Sequence, residues 1–540
     1  MYGQMMYQPL LVSSLLEHAA NYHADTPIIS KNTDGSMHHT DWAGISSRAK
    51  QCANFLKSLH LEQGDRIATL AWNNHRHIET WYAISGSGYV CHTINPRLFP
   101  EQLIYIIQDA QDKVLFFDQT FVPLINAIKK HIPNIELFIC LDTYNESVKE
   151  ALPETVFYEE LIQSQSGHFD WPELDELCAS SLCYTSGTTG NPKGVLYSHR
   201  STLLHTFASC LPDSLNLSSK DIMLPVVPMF HVHAWGSPYV AAMMGCSLIL
   251  PGSALDGDSL VQLIDQYKVT VSLGVPTIWQ SLISSAKKLN STLPSLNRNV
   301  VGGSACPPSM IETFKTDFNC DTIHAWGMTE ASPLGTVNHL KGKHLNLSKT
   351  EQFNVRLSQG RPPFGIRIRL VDAENDNKPL SNNGIETGNL QIQGHWIVNR
   401  YYGQENIALT EDGWFDTGDI ASMNQDGFLN ISDRAKDLIK SGGEWISSVE
   451  LENIAMAHPK IDMAAVIAAY HPRWDERPVV IAVKSTTGQI TETELLEFYQ
   501  DKIAKWQIPD KVIFVDAIPL SGTGKMLKRK LREDYGNTLI

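Results

Sequence analysis

A glycine-rich segment with hydroxyl side chains and a lysine could bind phosphate. It spans Tyr184–Gly194, reads YTSGTTGNPKG, and follows the apolar residues 181–183. Backbone N–H and side-chain O–H groups of such a loop can converge on phosphate oxygens, and Lys193 adds a positive charge. The segment is not a Walker A loop, because the nearest candidate for that motif, at Lys525, is followed by methionine. By glycine and serine content alone, a flexible turn between strands is an equal alternative.

Four further segments place charged side chains beside turn-forming residues. They are residues 324–330 (HAWGMTE), 416–419 (DTGD), 433–443 (DRAKDLIKSGG) and 519–525 (PLSGTGK). A carboxylate such as Glu330, together with phosphate oxygens, suits Mg²⁺. An ammonium such as that of Lys525 could stabilise the negative charge of an in-line transition state at phosphorus. Taken singly, the segments also fit a helix start, a surface turn, a solvated charge cluster and the start of a surface helix.

Together and in this order, the five segments resemble the motifs of the adenylate-forming superfamily. That superfamily comprises acyl- and aryl-CoA synthetases, the adenylation domains of peptide synthetases and beetle luciferases, and the resemblance covers nearly the whole chain. It implies an enzyme that makes an acyl-adenylate from a carboxylic acid and ATP and then transfers the acyl group to the thiol of coenzyme A. ATP, Mg²⁺ and CoA are therefore expected. The sequence is most similar to bacterial medium- or long-chain fatty acid CoA ligases and to the related methylthio-propionate CoA ligases.

The resemblance also implies roles for individual residues. The expected catalytic residues are Lys525, Glu330, Thr329, His231 and Arg434. The residues expected to bind ATP are Thr185, Ser186, Gly187, Thr188, Thr189, Gly190, Lys193, Gly303, Ser304, Trp326, Gly327, Asp419, Arg434 and Lys436. The residues expected to contact the acid or CoA are His231, Trp235, Gly302, Pro333, Gly443 and Trp445. Within these sets Trp326 is expected to stack on adenine and Asp419 to accept hydrogen bonds from the ribose, while Glu330 and Thr188 are expected at the magnesium ion.

Residues 229–236 (MFHVHAWG) bear on the choice of acid. His231 and His233 would share one face of a strand, which suggests a metal site, but no third and fourth ligands lie at a convincing spacing. The segment instead resembles the acid-binding strand of the superfamily. His231 stands where members that activate amino acids carry an Asp that pairs with the substrate ammonium, so a free α-amino group would lie unpaired in this site.

Trp235 is similar in position to a tryptophan that gates the acyl tunnel of fatty-acyl-CoA synthetases. The small residues Gly302, Gly303 and Ser304, with residues 331–333, would leave room for an extended apolar chain. The alternative interpretation makes Trp235 a core aromatic residue and the glycines a tight turn. We therefore expect a medium- or long-chain fatty acid as the substrate, with methylthio-propionate or another short acid as the alternative.

Free CoA is favoured over a carrier protein as the acyl acceptor. Only residues 526–540 follow Lys525, and they contain no carrier-like attachment site. Two other functions stay open at this point. One is an enzyme that loads a separate carrier protein, and the other is a catalytically silent binding or scaffold protein.

These residues need a scaffold of sheets and helices. Apolar β-branched segments alternate with helix-period segments through roughly residue 430, which predicts an α/β fold of sheets covered by helices. We expect a large N-terminal adenylation domain, 1–435, and a small mobile α+β domain, 436–540, with the hinge at Lys436. In the small domain, capping boxes predict helix starts and apolar runs predict strands. The predicted helix starts are Ser447–Glu450 and Thr491–Glu494, the strands are 464–469, 479–483 and 511–515, and a basic helix spans 525–532.

Composition excludes several classes of protein. The chain has 540 residues, 43% of them hydrophobic and 19% charged, and a net charge of -15. That charge argues against extended binding to nucleic acid phosphates. The 9 cysteines include no CxxC pair, which favours a reducing cytoplasm over a disulfide framework or a zinc ribbon. Residues 10–16 are too short to span a membrane and predict the start of an amphipathic helix; peripheral membrane contact and a homodimer are left open.

Overall fold

The computed structural model describes residues 1, 3–185, 191–372, 375, 377–441, 444–485, 488–521 and 524–540. Its α-helices lie on the faces of several sheets. They are α1 (Val12–Tyr22), α2 (Trp42–Lys57), α3 (His75–Gly86), α4 (Pro100–Ala110), α5 (Val122–Ile128), α6 (Glu146–Ala151), α7 (Tyr158–Gln163), α8 (His199–Cys210), α9 (Val232–Trp235), α10 (Ser237–Met244), α11 (Gly257–Tyr267), α12 (Pro276–Lys288), α13 (Pro308–Phe318), α14 (Lys349–Leu357), α15 (Ser448–Met456), α16 (Glu492–Phe498) and α17 (Lys528–Tyr535). In the described part of the chain, no helix is both long and apolar enough to cross a membrane.

Two largely parallel sheets form the centre of the large domain. The first has the order β7-β6-β5-β3-β4-β8-β9 and the second β15-β14-β13-β12-β10-β11-β1-β2. The strands of the first are β3 (Arg66–Leu70), β4 (Val90–Thr93), β5 (Val114–Phe117), β6 (Leu137–Cys140), β7 (Val156–Phe157), β8 (Ala179–Tyr184) and β9 (Gly194–Ser198). Those of the second are β1 (Pro27–Lys31), β2 (Met37–Asp41), β10 (Ile222–Pro225), β11 (Ser247–Leu250), β12 (Val271–Gly274), β13 (Arg298–Val301), β14 (Asp321–Gly327) and β15 (Leu334–Val337). Inner strands such as β5 and β12 are buried along their whole length, because helices cover both faces.

An antiparallel sheet completes the large domain and leads to the small one. Its order is β17-β16-β18-β19-β20, and its strands are β16 (Ile366–Asp372), β17 (Lys378–Pro379), β18 (Thr387–Gly394), β19 (Phe415–Met423) and β20 (Leu429–Arg434). The small domain has the order β22-β21-β24-β23 with β25 beside β24; the strands are β21 (Ile439–Ser441), β22 (Glu444–Ile446), β23 (Ile461–His471), β24 (Asp475–Lys484) and β25 (Lys511–Phe514). The predicted fold class is confirmed, whereas the boundary at Lys436 stays a prediction.

The predicted helices and strands of the small domain are found, apart from the start of the basic helix. Ser447 accepts a hydrogen bond from the Glu450 N–H at the start of α15, and Thr491 does the same for Glu494 at α16, as the capping boxes predicted. The basic helix, however, begins at Lys528 and not at Lys525, since Lys525 lies in a loop whose residues Leu520 and Met526 pair as an isolated bridge. The segment 416–419, predicted to be a turn, lies within strand β19.

Candidate active site

Two hydrogen bonds between Thr185 and Lys193 connect the two ends of the phosphate-loop segment. The segment joins the antiparallel strands β8 and β9, where Tyr184 pairs with Gly194. The Thr185 N–H donates to the Lys193 carbonyl at 2.9 Å, and the Lys193 N–H donates to Thr185 Oγ1 at 3.2 Å. Ser186, Gly187, Thr188, Thr189 and Gly190 lie outside the described residues, so their roles toward ATP and Mg²⁺ stay predictions.

Tyr401 connects the phosphate-loop lysine with the expected magnesium carboxylate. Lys193 Nζ lies 4.8 Å from the centroid of the Tyr401 ring, and the Tyr401 hydroxyl donates to Glu330 Oε1 at 2.9 Å. Glu330 is buried in a 3₁₀ turn, Thr329–Ala331, directly after β14. The Thr329 carbonyl accepts a hydrogen bond from the Tyr197 hydroxyl. Tyr401 thus lies between Glu330 and Lys193, the lysine of the phosphate-loop segment.

A single protein carboxylate is sufficient to bind Mg²⁺ here, because ATP supplies further oxygen ligands. Mg²⁺ is commonly held by one or two carboxylates together with substrate phosphates and water. Within the described ranges no group of three or more His, Cys, Asp or Glu residues could hold a metal by itself. The donor chemistry at Glu330 therefore fits magnesium that arrives with ATP.

Asp419 binds two of the residues expected at the nucleotide. Trp326 donates its indole N–H to Asp419 Oδ2 at 2.9 Å, and Arg434 Nε lies 2.8 Å from Asp419 Oδ1. Burial raises the pKa of Asp419, while Arg434 and the Trp326 hydrogen bond act in the opposite direction. Trp326, on β14, Asp419, on β19, and Arg434, at the end of β20, thus form one contiguous group.

Lys525, from the small domain, reaches this group in the large domain. Its loop is closed by the Ser521 N–H donating to the Lys525 carbonyl at 2.6 Å and by the Lys525 N–H donating to Ser521 Oγ at 3.0 Å. Burial lowers the pKa of Lys525 to about 8, with a further contribution from the cation of Arg434, although Asp419 and Glu330 favour the charged form. The charges of the predicted ribose partner Asp419 and of the predicted magnesium ligand Glu330 therefore both act on this ammonium.

A cavity with largely apolar walls opens beside Lys525. Its lining residues are Arg97, Val226, Val227, Pro228, His231, Trp235, Leu255, Val275, Thr277, Ile278, Gly303, Gly524 and Lys525. Burial, with a smaller effect of Lys525, lowers the pKa of His231 to about 3, so its imidazole is neutral at physiological pH. Gly302 leaves room for the half-buried indole of Trp235, since a Cβ at Gly302 would lie 3.0 Å from that ring.

The short element α9, which directly follows His231 and ends at Trp235, is a left-handed turn rather than a regular α-helix, so the prediction of a strand at this segment is wrong. The φ angles are 42° at Val232, 51° at His233, 49° at Ala234 and 57° at Trp235. L-residues avoid this region, at a cost of roughly 1–2 kcal/mol each. The premise that the two histidines share one strand face fails with it.

His233 instead contacts a buried cluster that includes strand β8. Its Nδ1 lies 3.2 Å from Cys183 Sγ, and its ring lies edge-on to Trp81 and Tyr197. His231, in contrast, lines the cavity beside Lys525. The two imidazoles thus have different surroundings, one in the cavity and one in the core.

Two family models match the chain. One describes the AMP-binding enzyme over residues 16–402, and the other describes the AMP-binding enzyme C-terminal domain over residues 450–525. The chain belongs to the AMP-binding enzyme family.

Curated relatives and a solved structure agree with this assignment. The chain is 56% identical to the 3-methylmercaptopropionyl-CoA ligase of Ruegeria lacuscaerulensis, over 100% of both chains. It is 51% identical to the medium-chain-fatty-acid–CoA ligase of Ectopseudomonas oleovorans, over 100% of this chain and 98% of that one. The crystal structure of the anthranilate CoA ligase AuaEII with anthranoyl-AMP has a similar fold, with a TM-score of 0.87, 23% identity and 99% coverage of both chains. The predictions of an AMP-forming acyl-CoA ligase and of ATP, Mg²⁺ and CoA are confirmed.

Other residues predicted for the site of this AMP-binding enzyme have the following surroundings. Gly327 and Pro333 touch, because a Cβ at Gly327 would lie 2.1 Å from the Pro333 carbonyl oxygen. Ser304 is exposed, and Trp445 on β22 is half-exposed beneath Lys440.

At the predicted hinge, Lys436 is largely exposed, and partial desolvation lowers its pKa against the opposing charge of Asp437. Gly443 lies outside the described residues, so its predicted contact with CoA stays a prediction. The roles assigned to all these residues from the sequence stay predictions as well.

Sequence reasoning missed Tyr401, Thr277 and Arg97. Tyr401 follows β18 and has no motif of its own, and Thr277 is the second residue of α12. Arg97 had a usable signal, since it follows strand β4, which pairs in parallel with β8 immediately before the phosphate loop. Residues after neighbouring parallel strands meet at one edge of the sheet, which is where ligands bind in such folds.

Proposed function

We propose that this AMP-forming acyl-CoA ligase acts on unbranched apolar acids, among them medium- or long-chain fatty acids and 3-methylmercaptopropionate. The observation that carries the proposal is the apolar wall of the cavity beside Lys525. Among the described residues that line it there is no Asp or Glu, and His231 is neutral. An α-ammonium group would remain unpaired there, at a high cost in desolvation.

The relatives support the same class of acid. Those at 56% and 51% identity are named for 3-methylmercaptopropionyl-CoA and for medium-chain fatty acids. A thioether is apolar and adaptable, so one apolar cavity can accept either it or a plain hydrocarbon chain. A longer fatty acid stays within the proposal, because a methylene changes discrimination by only about 1–3 kcal/mol.

In the first half-reaction, a carboxylate oxygen of the acid attacks the α-phosphorus of ATP, and the bond to the bridging oxygen breaks to release pyrophosphate. The Lys525 ammonium would bridge the carboxylate and the α-phosphate as charge builds up. Trp326 and Asp419 would position the adenosine. Magnesium, when bound with ATP at Glu330, neutralises charge on the phosphates.

In the second half-reaction, the CoA sulfur attacks the acyl carbonyl carbon, the thiol proton is released, and AMP leaves. AMP is a good leaving group, so the transfer proceeds readily once water is excluded. We propose that the small domain rotates about Lys436 between the two steps. That motion would withdraw Lys525 and present Gly443 and Trp445 to CoA.

Product analysis with a panel of acids tests the proposal. The purified chain would be mixed with ATP, Mg²⁺ and acids from acetate to oleate, including 3-methylmercaptopropionate, phenylalanine and leucine, with and without CoA. We expect AMP and acyl-CoA with unbranched apolar acids and none with amino acids. AMP formation with phenylalanine but not with octanoate or 3-methylmercaptopropionate would contradict the acid class.

The same assay separates the two remaining alternatives. An enzyme that loads a carrier protein would form adenylate without consuming CoA. A silent scaffold would release no AMP with any acid. A cytoplasmic location and a homodimer stay predictions, and sedimentation of the purified chain tests the second.

A further inference from the structure

Asp433 and Ser448 connect the two domains across the predicted hinge. Asp433 lies on β20 of the large domain, and Ser448 is the first residue of α15 in the small domain. Asp433 Oδ2 accepts hydrogen bonds from the Ser448 N–H at 2.7 Å and from the Ser448 hydroxyl at 2.5 Å. Both residues are buried, with 2% and 0% of their surface exposed. The carboxylate thus satisfies two donors at the start of a helix, where negative charge is favourable.

Neighbouring contacts strengthen this junction. The Ser447 hydroxyl donates to the Ser432 carbonyl at 2.6 Å, one residue before Asp433. Lys528 of α17 contacts the Ser448 hydroxyl and lies 2.8 Å from Glu452 Oε1. Glu452 is buried and also accepts the Val466 N–H, so Lys528 is held on the side of the small domain.

The position of the hinge decides what rotation does to these contacts. Asp433 lies three residues before Lys436, in a strand paired with β19, and Ser448 lies twelve residues after it. A rotation about Lys436 therefore separates Asp433 from Ser448, while the contact of Lys528 with Glu452 moves as a unit. After this separation, the hydrogen bond between the Ser448 N–H and the Asp433 carboxylate is lost. Its loss disfavours the rotated state.

We infer that Asp433 and Ser448 are positioning residues for adenylate formation. Their contact docks the small domain in the orientation that places Lys525 in the acid cavity, and the contact is broken for thioester formation. Neither residue touches a substrate. The inference rests on the proposed two-step function with rotation about Lys436.

Ser448→Pro is the sharpest test. Proline removes both the N–H and the hydroxyl that bind Asp433, yet it is favoured at the first position of a helix. The residue before it, Ser447, has φ −75° and ψ 120°, the extended backbone that a following proline requires. Ser448→Ala removes the hydroxyl alone.

The two half-reactions are measured separately in the full-length chain. Adenylation is followed by ATP–pyrophosphate exchange in the presence of the acid, and transfer by thioester formation from preformed acyl-adenylate and CoA. In Ser448→Pro we expect the ratio of transfer to adenylation to rise by about tenfold or more, because hydrogen bonds to a charged group are lost from one state only. Ser448→Ala should give a smaller rise, with thermal unfolding used to verify that each variant is folded.

Asp437→Asn is the matched control. Asp437 Oδ1 lies 2.7 Å from Arg532 Nη1, and both residues follow Lys436, so this pair is not broken by rotation. Its variant should leave the ratio unchanged. If Ser448→Pro and Ser448→Ala are folded and also leave the ratio unchanged, the positioning role is wrong. Failure of the proposed function would look different, because the unmodified chain would then form no adenylate with any acid.

Discussion

The Trp326 indole N–H donates to Asp419 Oδ2 at 2.9 Å, and Arg434 Nε lies 2.8 Å from the other oxygen of the same carboxylate. One buried carboxylate thus holds both the ring expected to stack on adenine and the guanidinium of Arg434, which is expected to bind ATP. A change in the position of Asp419 would therefore move both Trp326 and Arg434.

Trp326→Phe should weaken ATP binding without removing the stacking ring. A hydrogen bond to a charged group contributes about 1.5–3 kcal/mol, so we expect the KM for ATP to rise about tenfold while kcat changes little. Steady-state kinetics of AMP formation measures this. Trp414→Phe is the control, since that ring packs against Arg369 and has no predicted role at the nucleotide, so its replacement should leave the KM unchanged. A purely structural role for Trp326 would instead lower the unfolding temperature and leave the KM as it is.

Lys525→Ala should separate the two half-reactions. The charges of Asp419 and Glu330 act on the ammonium in this conformation, so its loss should nearly abolish adenylate formation. With preformed acyl-adenylate and CoA, the variant should still make thioester, because the proposed rotation withdraws Lys525 from the site. Equal loss of both half-reactions in a folded variant would argue against the rotation.

The pH profile of adenylation should report the Lys525 ammonium. Burial and Arg434 lower its pKa to about 8, so the free enzyme loses the cation as the pH rises through that value. We expect kcat/KM for adenylation to fall above about pH 8, since kcat/KM follows groups of the free enzyme. His231, with a pKa of about 3, should add no step between pH 5 and 8.

Lys525→Arg provides the control for this profile, because a guanidinium stays protonated throughout the range. Its activity should be lower but its plateau should extend to higher pH. An identical alkaline limb in Lys525→Arg would assign the titration to another group.

The family and the fold class could be predicted from the sequence because each of the five motifs is a local string of residues. The capping boxes at Ser447 and Thr491 are local signals as well, and both helices begin where they predict. The turn at residues 232–235 could not be predicted, since it opposes the backbone preference of every residue in it and is held by the surrounding fold. Tyr401 was missed for a related reason, because its hydrogen bond to Glu330 spans 71 residues of sequence.

Trp235→Ala should change the preference for acid chain length. Trp235 is half-buried and lines the cavity, so its removal should alter the relative KM values of short and long acids in a folded protein. The control is Trp279→Ala, which removes a fully buried ring. We expect this variant to lower the free energy of unfolding by about 3–5 kcal/mol. KM values from propionate to dodecanoate and the unfolding temperature distinguish the two. A Trp235→Ala variant that only unfolds earlier, with an unchanged profile, would support the core interpretation.

Lys436→Pro should have the opposite effect to Lys525→Ala. Proline fixes φ near −65° and removes the backbone N–H, so a hinge at this residue could no longer undergo the change of backbone angles that rotation requires. We expect adenylate formation to persist while thioester formation from preformed acyl-adenylate falls strongly. Lys436→Ala is the matched control, because it removes the same ammonium and leaves the backbone free; the difference between the two variants in the second half-reaction measures the hinge alone. Unchanged rates of both half-reactions in Lys436→Pro would move the pivot away from Lys436, and with it the reason why Asp433 and Ser448 must separate.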